Sequence, residues 1–234
     1  MARLPLPLGF SFYQSESAPF SSQRCVNWKP VVAESAALNT RALFQPDGLK
    51  ELVDSGYVGN RDSIKANGIP YFVSENTIFS VSSSLVVTPH GTIAGSGRVS
   101  LAVNSINADT GSQYIVIVVP GGNAYVLTTV TNVLTQITDA NFRASDTVIF
   151  KDGFFVFSTS DGAGFFNSLL NDPFSYNALD FSSPSINSDK VVALHVNHNE
   201  LFVCNENTIL LYQNIGRDPE PFQLIGGANI QKGV

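Results

Sequence analysis

One phrase in this chain comes back, and it limits the fold more than any other feature. Tyr71-Phe-Val-Ser-Glu-Asn-Thr-Ile-Phe79 returns as Leu201-Phe-Val-Cys-Asn-Glu-Asn-Thr-Ile-Leu210. Two looser copies lie between, Tyr114-Ile-Val-Ile-Val-Val-Pro-Gly-Gly-Asn-Ala-Tyr-Val-Leu127 and Phe154-Phe-Val-Phe-Ser-Thr-Ser-Asp-Gly-Ala-Gly-Phe-Phe166. Each copy is an apolar run, a turn rich in Asn, Gly or Asp, and a second apolar run, which is the chemistry of a β-hairpin. With Phe72, Val116, Phe155 and Phe202 taken as equivalent, the steps are roughly 44, 39 and 47 residues, the period of propeller blades. A series of similar β units, with aromatics spread through all of them, points to scaffolding rather than to one active site.

The residues needed for other classes are missing. Charged side chains make up 14% of the 234 residues, against roughly 25% in ordinary soluble domains. That sparse charge suits a surface covered by neighbours in an assembly. The 13 basic side chains occur singly and never as sequence neighbours, and 19 acidic ones leave a net charge of −6. A chain that holds DNA by releasing counterions needs clustered Lys and Arg. Cys25 and Cys204 have no framework spacing and read as reduced, small apolar residues. Pro5 and Pro7 interrupt the short apolar start, which argues against a secretory signal. No apolar run is long enough to span a membrane as a helix, so the expected compartment is the cytoplasm or whatever assembles there.

Residues 1–56 read as an extended N-terminal arm. Pro5, Pro7, Pro19 and Pro30 forbid regular helix over its first thirty positions, where serines are frequent. Such an arm is either a solvated lead or a strap laid on a neighbour. Phe10, Phe12, Tyr13, Phe20 and Trp28 favour the strap. A short helix is expected around Glu34 to Leu38, and a turn at Gln45-Pro-Asp-Gly48. Residues 57–234 then read as β throughout, with about four blade-like hairpin units. Ile115 to Val119, apolar at every position, is expected to be an interior strand buried on both faces. Lys151-Asp-Gly153 is a strong hairpin turn. A propeller must close to hide its edges. Four units therefore form a small ring, or are a partial one completed by another subunit or by further blades beyond Val234. The last reading is preferred.

The motifs that suggest chemistry do not hold up. Ala94-Gly-Ser-Gly-Arg98 has too few glycines for a dinucleotide fingerprint, lacks the Lys of a P-loop, and runs into a strand rather than a helix. It reads as a glycine-permitted corner. His195 and His198 would face opposite ways in a strand, and His90 has no evident ligand companion. Thr159-Ser-Asp-Gly-Ala-Gly164 partly resembles a sialidase Asp-box, but Ala163 stands where glycine is needed and no arginine cluster accompanies it. Asp139, Asp146, Asp152, Asp161, Asp172, Asp180 and Asp189 lie among Gly, Asn and Ser, and turn chemistry accounts for them. Catalytic residues, metal ligands and cofactors are all expected to be none.

Four segments together resemble a known family. Gln23-Arg-Cys-Val-Asn-Trp-Lys-Pro30 with Glu34-Ser-Ala-Ala-Leu38 looks like that family's leading arm, and Ile93-Ala-Gly-Ser-Gly-Arg-Val-Ser100 like its glycine corner. Phe166-Asn-Ser-Leu-Leu-Asn-Asp-Pro173 with Asn177-Ala-Leu-Asp-Phe-Ser182 looks like a linker between blades. Glu200-Leu-Phe-Val-Cys204 through Gln213-Asn-Ile-Gly216, then Phe222 to Gly233, looks like a later blade. The family is the β-propeller tail proteins of short-tailed phages, the packaged-DNA stabilisation, tail-accessory or tail-nozzle proteins.

The resemblance implies a virion tail protein assembled in the host cytoplasm. Its partners would be other copies of itself in a ring (such as a hexamer), portal and adaptor proteins, and a tail needle or fibres. DNA would pass through the ring without sequence-specific binding, and a mildly acidic wall suits that passage. Phe20, Trp28 and Arg98 are the residues picked for subunit contact or corner roles. Two other functions stay open: a glycan-binding or depolymerising propeller, and a host-surface adhesin outside any channel.

Overall fold

The computed structural model describes residues 28–32, 41–107, 111–183 and 189–234. The chain divides into two units, Met1–Leu52 and Val53–Val234. In the first, β1 (Lys29–Val32) pairs antiparallel with β2 (Arg41–Phe44), Lys29 opposite Phe44 and Val32 opposite Arg41. The expected helix around Glu34 to Leu38 lies outside the described residues. Residues 45–48, read as a turn, form no regular element. They are exposed, and among the described residues no further strand pairs with β2 to close one.

The second unit is four antiparallel sheets of four strands, each a meander in sequence order. The first sheet holds β3 (Asn60–Ala66), β4 (Ile69–Ser74), β5 (Thr77–Val81) and β6 (Val87–Thr92). The second holds β7 (Ser100–Val103), β8 (Tyr114–Val118), β9 (Ala124–Thr128) and β10 (Val133–Gln136). The third holds β11 (Ser145–Lys151), β12 (Phe154–Thr159), β13 (Phe165–Leu169) and β14 (Asp172–Ser182). The fourth holds β15 (Val191–Asn197), β16 (Glu200–Asn205), β17 (Ile209–Asn214) and β18 (Phe222–Ile230). The first strands pack in succession, β3 on β7, β7 on β11 and β11 on β15. Sheets fanned about their first strands are the blades of a β-propeller, so the all-β fold read from the repeat is the fold observed.

The repeated phrases turn out to be the middle hairpins: β4–β5, β8–β9, β12–β13 and β16–β17. Phe72, Val116, Phe155 and Phe202 all lie on the second strand of their sheets. Each hairpin expected as a unit is therefore the centre of a larger one, flanked by strands whose pattern is weaker. β3, with the sequence Asn-Arg-Asp-Ser-Ile-Lys-Ala, is the clearest example. Its turn into β4 is built by Asn67 (φ +47°) and Gly68 (φ +79°), and Asp152 (φ +50°) and Gly153 (φ +89°) build the matching turn from β11 to β12. Both are in the left-handed region that two-residue hairpin turns require. The presumed linker over residues 166–182 is instead most of β13 and β14. Asn and Asp dilute its apolar pattern, yet Phe174 and Tyr176 still pack inward.

Packing follows from the two-residue period of a strand. In β8, Ile115 and Ile117 join a cluster with Tyr71, Val73 and Ile78 of the first sheet, while Val116 and Val118 join one with Phe155 and Phe157 of the third. Successive residues thus face opposite neighbours, which explains a strand apolar at every position. The same holds in β12, where Phe155 and Phe157 face the second sheet and Val156 faces Leu201 and Val203 of the fourth. Phe157 stacks on Phe166 at 5.1 Å between ring centres, and Phe142 closes edge-on over both.

Because Phe157 is fully buried in this aromatic group, Phe157→Ala is expected to cost about 3–5 kcal/mol. Urea unfolding is the measurement, with exposed Leu179→Ala as a control expected to stay within about 0.5 kcal/mol.

Candidate functional site: the bulged end of the blades

The start of a blade's first strand carries a device that recurs. In β3, Asn60 pairs with Ser74 and Asp62 with Val73, so Arg61 is an extra residue. In β11, Ser145 pairs with Thr159 and Thr147 with Ser158, leaving Asp146 extra. In β15, Val191 pairs with Asn205 and Ala193 with Cys204, leaving Val192 extra. The second sheet pairs without a slip between β7 and β8. Next to each bulge, the amide that follows the second strand closes on the chain ahead of the first. Glu75 donates to the Gly59 carbonyl at 3.3 Å, Ser160 to Ala144 at 2.9 Å and Glu206 to Lys190 at 3.0 Å. A bulge twists its strand and re-aims the extra side chain, so Arg61, Asp146 and Val192 are presented at equivalent places on one end of the blades.

Two of the three tie neighbouring blades together. Asp146 Oδ1 accepts the Gly121 amide of the second sheet's β8–β9 turn at 2.9 Å and the Ser160 hydroxyl at 2.7 Å. Arg61 is 6% exposed. Its Nε donates to Gly97 O at 2.5 Å, Nη1 to Glu75 O at 2.9 Å and Nη2 to Ala94 O at 3.3 Å. It therefore fastens the glycine corner, which leads into β7, onto the first sheet. The corner bends as the sequence suggested, with Gly95 at φ +79° and so close that a Cβ would meet Val119 Cγ1 at 3.0 Å. Burial pushes the Arg61 guanidinium below its ordinary value. No carboxylate forms an ion pair with it among the described residues.

Arg98 is exposed and, with Arg61, Asp62 and Gly97, lines an open cleft of about 490 Å³. Of the residues picked from sequence, Arg98 lies at this end. Trp28 precedes β1 in the first unit and is 53% exposed, and Phe20 is outside the described residues. Sequence reasoning missed Arg61 because β3 was not visible as a strand. A spacing of three between buried positions, as in Val191 and Leu194, is the signal a bulge leaves.

Asp180 departs from the turn role assigned to the aspartates. It lies within β14, is 5% exposed, and accepts the Glu220 amide at 2.9 Å from the β17–β18 connection of the next sheet. Burial pushes its carboxyl above the ordinary value; the Glu220 amide opposes this, and the nearby Asp218 and Glu220 charges add to it. Asp139, Asp161 and Asp172 do accept amides two residues on, as turn chemistry requires. His198 holds the β15–β16 turn at φ +51° with its ring on Asn197, His195 is exposed on β15, and His90 bonds Ser80 at 2.9 Å. Cys204 is a half-buried free thiol. Among the described residues no three His, Cys, Asp or Glu side chains are grouped to hold a metal. What the arrangement does is fasten blades and present polar side chains at one end of them.

Sheets of this kind, packed face to face and fastened at the bulged end, define a β-propeller module. A family model described as Bacteriophage P22 Gp10, beta-propeller, matches residues 2–234, and the chain belongs to that phage stabilisation family. No curated protein matches. Among solved structures, YCF48 bound to a D1 peptide aligns at 15% identity and a TM-score of 0.50, over 79% of this chain and 57% of that one. The N-terminal domain of Nup159 aligns at 8% identity and a TM-score of 0.45, over 82% of this chain and 52% of that one. PorZ of the type-IX secretion system of Porphyromonas gingivalis aligns at 14% and 0.45, over 75% of this chain and 21% of that one. The chain thus spans little more than half the length of the first of these, or less, and the likeness is one of fold.

Removing the Arg61 clasp by Arg61→Ala is expected to cost about 1.5–3 kcal/mol, since three main-chain carbonyls lose a charged donor. Arg98→Ala, at the cleft mouth, should stay within about 0.5 kcal/mol in the same denaturation series.

Asp180 binds its proton more readily folded than unfolded, so its contribution favours the fold at low pH and is lost as pH rises through the raised value. Asp180→Asn keeps an acceptor for Glu220 and removes the buried charge. Its urea midpoint should equal or exceed wild type at neutral pH, with the gap closing as pH falls to about 4. A lower midpoint at neutral pH would contradict the assignment.

Proposed function

We propose that this chain is a structural virion protein of a short-tailed phage, part of the tail channel ring below the portal and adaptor that retains packaged DNA and conducts it on ejection. The family match over residues 2–234 carries the reading. The charge pattern supports it: 13 basic side chains scattered singly in a chain of net charge −6 give a passing polyanion little to hold. The polar groups that are buried at the bulged end fasten blades to one another, which suits a subunit with a mechanical task. In this role the subunit works by shape and by weak repulsion of DNA, with other copies, portal and adaptor proteins, and a needle or fibres as neighbours.

Electron microscopy of intact particles, with this protein labelled, tests the proposal. The expected result is a ring of copies on the tail axis beneath the portal. Label on peripheral fibres would favour the adhesin reading, and label absent from particles would overturn a virion role.

A further inference from the structure

Arg61 and Arg98 form no ion pair among the described residues. Arg61 is deeply buried, and its three bonds all run to main-chain carbonyls. A guanidinium has five N–H groups, so Nη1 and Nη2 each keep one for another acceptor. Arg98 makes neither an ion pair nor a hydrogen bond among the described residues. Both line the same cleft. Buried charge is normally paired, and a planar guanidinium is suited to a carboxylate or a phosphate. The surroundings favour the carboxylate. Asp62 also lines the cleft, and only two arginines converge there, too few for a DNA backbone and enough for one acidic side chain.

The chain itself carries a matching surface. Residues 139–234, the third and fourth blades, hold eleven Asp and Glu against five Lys and Arg, a net −6 equal to that of the whole chain. Residues 53–138 hold four against three. Asp218, exposed in the β17–β18 connection, has no cationic partner among the described residues. It borders a depression of about 340 Å³ shared with Asp152, Asp180 and Arg217, and Arg217 is already paired with Glu220.

We infer that the Arg61–Arg98 cleft of one copy receives a carboxylate from the acidic blades of a second copy, with Asp218 the foremost donor. The contact is head-to-tail, between two different surfaces, and such contacts propagate into rings or filaments. The inference rests on the proposed ring only for the size of the assembly, not for the contact itself.

Sedimentation of the full chain at low and high salt tests it, with Arg98→Glu and Asp218→Asn, both exposed positions, as variants. Wild type should self-associate, more weakly at high salt, and each variant should associate about tenfold more weakly or worse. Mixing the variants should restore a heterodimer that grows no further, because one intact cleft meets one intact acidic surface and the remaining surfaces are both spoiled. Malonate should compete with wild-type association and leave residual Arg98→Glu association unchanged. Monomeric wild type at low salt, or Arg98→Glu associating like wild type, overturns the inference. So does a mixture of variants that stays monomeric, or short duplex DNA binding that Arg98→Glu abolishes. A ring seen in particles but indifferent to Arg98→Glu would sink this contact and spare the tail assignment. Absence from particles with the mixing result intact would do the reverse.

Discussion

The structure depends on burial of both faces of each interior sheet against its neighbours. A single four-stranded meander has one apolar face too many for water, and stacking the next blade on it removes that face. Ile115 and Ile117 on one side of β8, with Val116 and Val118 on the other, show the requirement in four consecutive residues. Each blade is stable only within a series, so the packing that builds the fold also makes it repetitive. Repetition leaves the variable chemistry to loops and strand ends.

At the bulged end, that chemistry serves cohesion first. A bulge at equivalent positions in β3, β11 and β15 turns one extra side chain out of the ladder, and the residue placed there sets the local task. Arginine gathers the carbonyls of a glycine corner, aspartate caps a neighbouring turn, and valine makes an exposed apolar spot. Asp180 fastens the next blade from the outer strand at an electrostatic cost. At the opposite end of β11, Lys151, 4% exposed, reaches His198 O across the same pair of sheets at 3.4 Å. These polar clasps orient blades that hydrophobic contact alone would leave free to slide.

The middle hairpins were legible in the sequence because alternation and turn chemistry are local properties. The recurrence of Phe-Val with Glu-Asn-Thr-Ile marked two of them at opposite ends of the chain. The flanking strands were harder to read. β3 is mostly polar because its side chains meet solvent or a clasp, and β14 is interrupted by Asn and Asp and was taken for a linker. At the candidate site, Arg98 was visible as part of a glycine corner. Arg61 was not, since nothing in its neighbours announces that a bulge will turn it inward to three carbonyls contributed from residues 75 to 97.

By itself, then, the sequence determined that the chain is β-rich and repeated, with a blade-sized period and charges too dispersed to grip nucleic acid. These follow from composition and from interactions among residues close in the chain. The tertiary structure decided which side chain closes which gap. It made Asp180 a buried clasp rather than a turn residue, and it joined Arg61 and Arg98 at one cleft although 37 positions separate them. Those outcomes come from sheets stacking face to face, which brings distant loops to a common end and sets burial, and burial controls what a charged group can do.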